Sequence, residues 1–142
     1  MQIIIPRTGE EFRRYYDLRW RVLRQPWDQP PGTERDALET ESIHLMACRG
    51  ATLLGVGRLH FNSRDEAQIR FMAVEEAQRG GGVGRLLLQS LEGHARAGSA
   101  RRIILDARES AAGFYAAHGY AAVATAHTLF GLIPHTRMAK DL

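Results

Sequence analysis

The chain has 142 residues, 44% hydrophobic and 25% charged, and its 19 Lys plus Arg against 16 Asp plus Glu leave a net charge of +3. That length leaves room for one domain, residues 1–142, with enough apolar residues for a core, which excludes a disordered or fibrous chain. No apolar run nears the roughly 20 residues of a bilayer-spanning helix and the basic residues form no stripe, so neither a membrane nor a nucleic-acid partner is expected.

Residues 2–5, rich in isoleucine, predict a short first strand ended by Pro6; the opening is too short for a signal peptide, which makes a cytoplasmic protein the expectation. Thr8, with Glu11 three positions on, marks the start of a helix whose Phe12, Tyr15, Tyr16, Trp20 and Leu23 share one stripe and which ends before Pro26. Arg19 lies on that stripe, where a charge must either snorkel outward or point into a cleft. Residues 25–32, with Trp27, form a loop dense in turn residues, and an acidic helical piece is predicted over 34–41. Residues 43–49, 52–61 and 68–74 read as strands of an antiparallel meander, and Cys48, alone in an apolar run, reads as a buried thiol. Helices over 84–97 and 110–118 then alternate with a buried strand over 101–107, and two closing strands cover 120–128 and 133–140. The class is α+β in the order β-α-α-β-β-β-α-β-α-β-β.

The richest stretch runs from Met72, Ala73 and Val74 at a strand end, through Arg79-Gly80-Gly81-Gly82-Val83-Gly84-Arg85, into a helix. Glycines admit a ligand close to the backbone, and the first amides of the helix converge there with its positive dipole end; Arg79 and Arg85 add charge. The predicted guest is a phosphate or diphosphate. A dinucleotide fingerprint counted from Gly82 and Gly84 fails at Leu87, and an ATP-type loop fails at Arg85 and Leu86, where Lys and Ser or Thr would stand.

Arg79-x-x-Gly82-x-Gly84 resembles the acetyl-CoA diphosphate loop of the GNAT N-acetyltransferase superfamily. Residues 111–120, with the Phe114-Tyr115 pair and the Gly119-Tyr120 step, are similar to a later helix motif of that family. Residues 130–138 and the Ser42-Ile43-His44-Leu45 entry are similar to the small ElaA-like bacterial branch. Two positions depart from the family: Arg108 stands where many members carry Asn or Gln, and Gln68 where some carry an acid.

The resemblance implies a mixed, mostly antiparallel sheet flanked by helices, acetyl-CoA as co-substrate, and direct transfer of its acetyl group to a small-molecule or peptide amine. Its pantetheine arm would pair along Met72, Ala73 and Val74 as an added strand, its diphosphate would sit on residues 79–85, and Arg108 would touch it. A backbone amide near Ala73 or Val74 would hold the oxyanion, a contribution typically of about 3–4 kcal/mol, and Tyr115 would protonate the leaving thiolate. The base is left open among Glu41, His44, His60 and His135, and an acceptor pocket is expected near Arg19, Trp27 and the acidic piece, whose Glu34, Asp36, Glu39 and Glu41 would attract a cationic amine. No Cys pair or helical His pair suggests a metal. A homodimer is open, and the rival reading is a CoA-binding module without turnover.

Overall fold

The computed structural model describes all 142 residues. The chain runs β1 (Gln2–Ile4), α1 (Gly9–Leu23), β2 (Ile43–Arg49), β3 (Thr52–Phe61), β4 (Glu66–Val74), α2 (Val83–Ala97), β5 (Arg102–Arg108), α3 (Glu109–Ala117), β6 (Ala121–Leu129) and β7 (Ile133–Asp141). All seven strands form one sheet in the order β1-β2-β3-β4-β5-β7-β6, and only the β4–β5 pairing is parallel. No helix is long and apolar enough to cross a membrane.

Helix α1 starts where the capping pattern places it: the Thr8 hydroxyl accepts from the Glu11 amide at 3.0 Å, and the Glu11 carboxylate accepts from the Thr8 amide at 3.0 Å. It packs on one face of the sheet, burying Tyr15 and Leu18 against Met46, Cys48, Leu53 and Val56. Helix α2 lays Leu87, Leu88, Leu91 and Ala95 on the other face, and α3 adds Tyr115 to that core. Gly55 of β3 makes the close approach possible, since a Cβ there would stand 2.9 Å from Val83 Cγ1.

The acidic helix expected over 34–41 is absent, and only a single 3-10 turn, Glu39–Glu41, forms. Its carboxylates are drawn to buried arginines instead of lying along a solvated face. Asp36 and Glu39 both bind Arg58, at 2.6 and 2.7 Å, and Asp36 also accepts from the Leu38 amide at 2.9 Å, a local bond that competes with the helical ladder.

The sheet parts at its one parallel junction. β4 and β5 pair from Glu66↔Arg102 to Gln68↔Ile104 and no further. Beyond that point β4 carries a bulge: Phe71 and Met72 face the single residue Gly57 as the β3 register passes from Arg58↔Arg70 to Val56↔Ala73. Phe71 takes the left-handed conformation at φ 56°, a strained state for a bulky side chain. Its ring is held among guanidinium groups, with the Cζ atoms of Arg19, Arg70 and Arg58 at 4.4, 4.4 and 4.9 Å from its centroid. The bulge bends β4 away from β5 and leaves a cleft between them.

Candidate active site

Two cavities share this cleft and meet at Leu23, Met72, Arg108, Ala111 and Tyr115. The first, of about 490 Å³, runs beside Ala73 and Val74 to Arg79, Gly80, Gly82, Val83, Gly84 and Arg85. Gly81 lies within the same loop without facing the cavity. Past Gln68 the β5-side edge of β4 has no strand partner, so its backbone is open to an extended ligand.

At the far end of this cavity Gly82 occupies the N-cap of α2 with φ 87°, a conformation that favours glycine. No side chain caps the helix, and the amides of Gly82, Val83, Gly84 and Arg85 have no backbone acceptor. Four free backbone donors, the helix dipole and two flanking arginines give this end of the cavity the chemistry to hold an anion.

The second cavity, of about 500 Å³, lies on the other side of Tyr115 and is walled by side chains from α1, β4, β5, β6 and β7. The Tyr115 hydroxyl points at Met72, with Oη 3.7 Å from Sδ, and burial raises its pKa, so the phenol keeps its proton. His135 faces this space; its Nδ1 donates to the Ile133 carbonyl at 2.9 Å, which leaves Nε2 with the free lone pair. Burial, aided by the charges of His127 and Arg108, lowers the His135 pKa and keeps the ring neutral. His127 stacks on it at 4.6 Å.

The other residues expected near an acceptor lie elsewhere. Arg19 neither snorkels nor opens into the cleft: it is fully buried, bound to the Glu39 carboxylate at 2.9 Å, the Tyr15 hydroxyl at 2.8 Å and the Glu34 carbonyl at 3.0 Å. Trp27 and Glu41 sit on 3-10 turns outside both cavities. His44 spends both ring nitrogens, on the Tyr15 hydroxyl at 2.8 Å and the Glu39 carbonyl at 2.7 Å. His60 does the same with Arg58 at 3.2 Å and Asn62 at 3.1 Å, so neither histidine has a lone pair to receive a proton.

Nor do the acids of 34–41 line the second cavity as a patch for a cationic amine. Glu34 is bound to Arg35, Asp36 to Arg58 and Arg70, and Glu39 to Arg19 and Arg58. Desolvation pushes the Asp36 pKa up, but hydrogen bonds from Arg58 and the Leu38 amide with the nearby guanidinium charges outweigh it and hold the carboxyl well below its usual range. The cavity instead presents Arg24, Arg70, Asp106 and His127, which sequence reasoning missed. No local pattern marks them; Asp106 and Arg137 meet only through the β5–β7 register.

The model of the acetyltransferase (GNAT) family matches residues 12–120. An uncharacterized N-acetyltransferase of Bacillus subtilis (strain 168), YjcF, is 30% identical over 141 residues, which cover 99% of this chain and all of that protein. Among solved structures, an aminoglycoside 6'-N-acetyltransferase complexed with coenzyme A superposes with a TM-score of 0.83 at 18% identity, covering 99% of this chain and 97% of the other. Escherichia coli ElaA does so with a TM-score of 0.80 at 21% identity, covering 98% and 97%. At those identities the structural likeness establishes the fold.

Proposed function

Because the chain belongs to the GNAT acetyltransferase family, and is therefore an acyl-CoA-dependent N-acyltransferase, we propose that it transfers the acetyl group of acetyl-CoA to an amine by direct attack, with Tyr115 as general acid and His135 as the base. The thioester supplies an activated acetyl carbon. The amides of Gly82, Val83, Gly84 and Arg85, which have no backbone acceptor, suit the diphosphate, and the open edge of β4 suits the two amides of the pantetheine arm.

The acceptor attacks as the neutral amine; His135 Nε2 takes the proton that its nitrogen sheds once the C–N bond has formed, and passes it on to solvent. A backbone amide near Ala73 or Val74 steadies the oxygen that gains charge. Tyr115 passes its phenolic proton to the sulfur as the C–S bond breaks, and solvent restores that proton. Burial keeps the phenol protonated at neutral pH, so a donor is present when the thiolate leaves, while the raised pKa makes it a weaker acid. A cytoplasmic location, where the thioester is made, accompanies this reading.

The observation that carries the reading is the Tyr115 hydroxyl at Met72, where the glycine-loop cavity and the acceptor cavity join. Thiol release from acetyl-CoA tests it. Tyr115→Phe is expected to cut turnover by roughly 100-fold, the low end of general-acid contributions, while the Kd for CoA in calorimetry stays within about twofold. Unchanged turnover would remove Tyr115 from the mechanism, and absence of CoA binding at millimolar concentration would remove the whole assignment.

A further inference from the structure

The acceptor cavity holds a pair of cations with no anion to match. Arg24 Nη1 and Arg108 Nη2 both donate to one acceptor, the Leu23 carbonyl, at 3.2 and 3.0 Å. Arg24 is buried and is fixed further by its Nε donating to the Thr33 carbonyl at 3.0 Å. Neither guanidinium has a carboxylate within ion-pair distance, in contrast to Arg19, Arg21, Arg58, Arg70 and Arg137. The acids nearby are already bound: Asp106 holds Arg137 at 2.9 and 3.2 Å, Asp36 holds Arg58 and Arg70, and Glu34 holds Arg35.

Two like charges drawn together on one carbonyl in a partly desolvated wall are unfavourable unless something offsets them. Arginine cannot relieve the strain by losing its proton at any working pH. Burial, and after it the charges of Arg108 and Arg70, push the Arg24 pKa down to about 10. Donors of both forks beyond the Leu23 and Thr33 bonds have no protein partner, and both side chains line the acceptor cavity.

We infer that the acceptor amine carries an oxyanion group, a carboxylate or a phosphate, and that Arg24 and Arg108 bind it at the junction of the two cavities. This rests on the acetyl-transfer reading above and fixes the class of its acceptor. An oxyanion supplies the missing countercharge to both forks and sets the amine at a defined reach from Tyr115 and His135. The same pair repels a polycationic acceptor, so discrimination is built into the wall rather than added by a loop.

Matched acceptors decide the matter without any variant: an α-amino acid and its neutral amide, an amino-alkyl phosphate and the amino alcohol that lacks the phosphate, and an aliphatic diamine, each read by thiol release from acetyl-CoA. The expected result is a kcat/KM at least tenfold higher for the charged member of one pair, and which pair responds tells carboxylate from phosphate. In Arg24→Gln that preference is expected to fall by tenfold or more with the Kd for CoA unchanged; Arg24→Gln is first checked for a wild-type circular dichroism melt. Equal use of the neutral acceptors, or preference for the diamine, overturns the inference and leaves acetyl transfer standing. A loss of CoA affinity in Arg24→Gln with acceptor preference intact also overturns it, because the pair then serves the cofactor. If calorimetry detects binding of the charged amine but no acceptor releases thiol, the anion site stands and the acetyl-transfer reading falls.

Discussion

The limb of the cleft that runs from Met72 to Arg85 offers its free polar groups from the backbone: an unpaired strand edge, then four amides at the start of α2. The limb from Arg24 to His135 is walled by side chains that arrive from α1, β4, β5, β6 and β7. The first limb needs only small residues and one strand-to-helix connection to work. The second needs a scaffold of ion pairs, Asp36 and Glu39 against Arg19, Arg58 and Arg70, to hold its strand bulge and its charges in place. On the proposed reading, co-substrate binding and acceptor choice fall to different limbs that meet only at their junction, and the two should fail in different ways.

The separation is tested most severely at Gly82. Valine there must adopt φ 87° or turn the helix amides away from the anion, and losing two such donors costs about 4 kcal/mol, close to a thousandfold in the Kd for CoA by calorimetry. The thermal midpoint should move far less than that affinity. A Gly82→Val protein that bound CoA normally would show that side chains, not backbone, hold the diphosphate.

Glu39→Ala strikes the scaffold of the other limb. It leaves the buried Arg19 guanidinium without a carboxylate and Arg58 with Asp36 alone, a loss of about 3 kcal/mol of stability in urea unfolding. The folded fraction should still bind CoA with wild-type affinity, and a weakened Kd there would join the two limbs into one unit.

At His135 the effect is on rate and pH. His135→Gln is expected to lower kcat/KM by about 100-fold at pH 7, the low end for general base catalysis. In the unmodified enzyme the rate should fall as pH drops, because a protonated ring cannot accept the amine's proton. Since burial lowers this histidine's pKa, the midpoint of that fall lies below 6.5, and the limb disappears in the variant. A variant that kept it would assign the titration to another group.

Thr8→Ala is the smallest of these effects. It removes the cap of α1 at the end remote from Leu23 and Arg24, so about 1 kcal/mol of stability should vanish from the unfolding curve while both Kd and turnover persist.

Much of the fold follows from short-range pattern. The capping box at Thr8 and Glu11, the helix over 84–97 and the three strands of the meander are all read from spacing, because each element's pattern repeats along its own axis. The acidic piece over 34–41 was legible as acidic but not as irregular, since the partners that unwind it, Arg19 on α1 and Arg58 on β3, lie far away in the chain.

The free donors of the glycine loop are legible for the same reason as the helices: they are consecutive amides, so the geometry proposed to hold a diphosphate is a property of one connected segment. The acceptor wall has no such continuity. Arg24 and Arg108 are separated by most of the chain and meet on the Leu23 carbonyl only because the bulge at Phe71 bends β4 from β5 and α1 closes over the gap. Residue order alone thus specified where an anion could be held by backbone. Folding decided which charges were neutralised and which were left facing the cavity, because electrostatic pairing depends on distance through space, and periodicity along the chain carries no record of it.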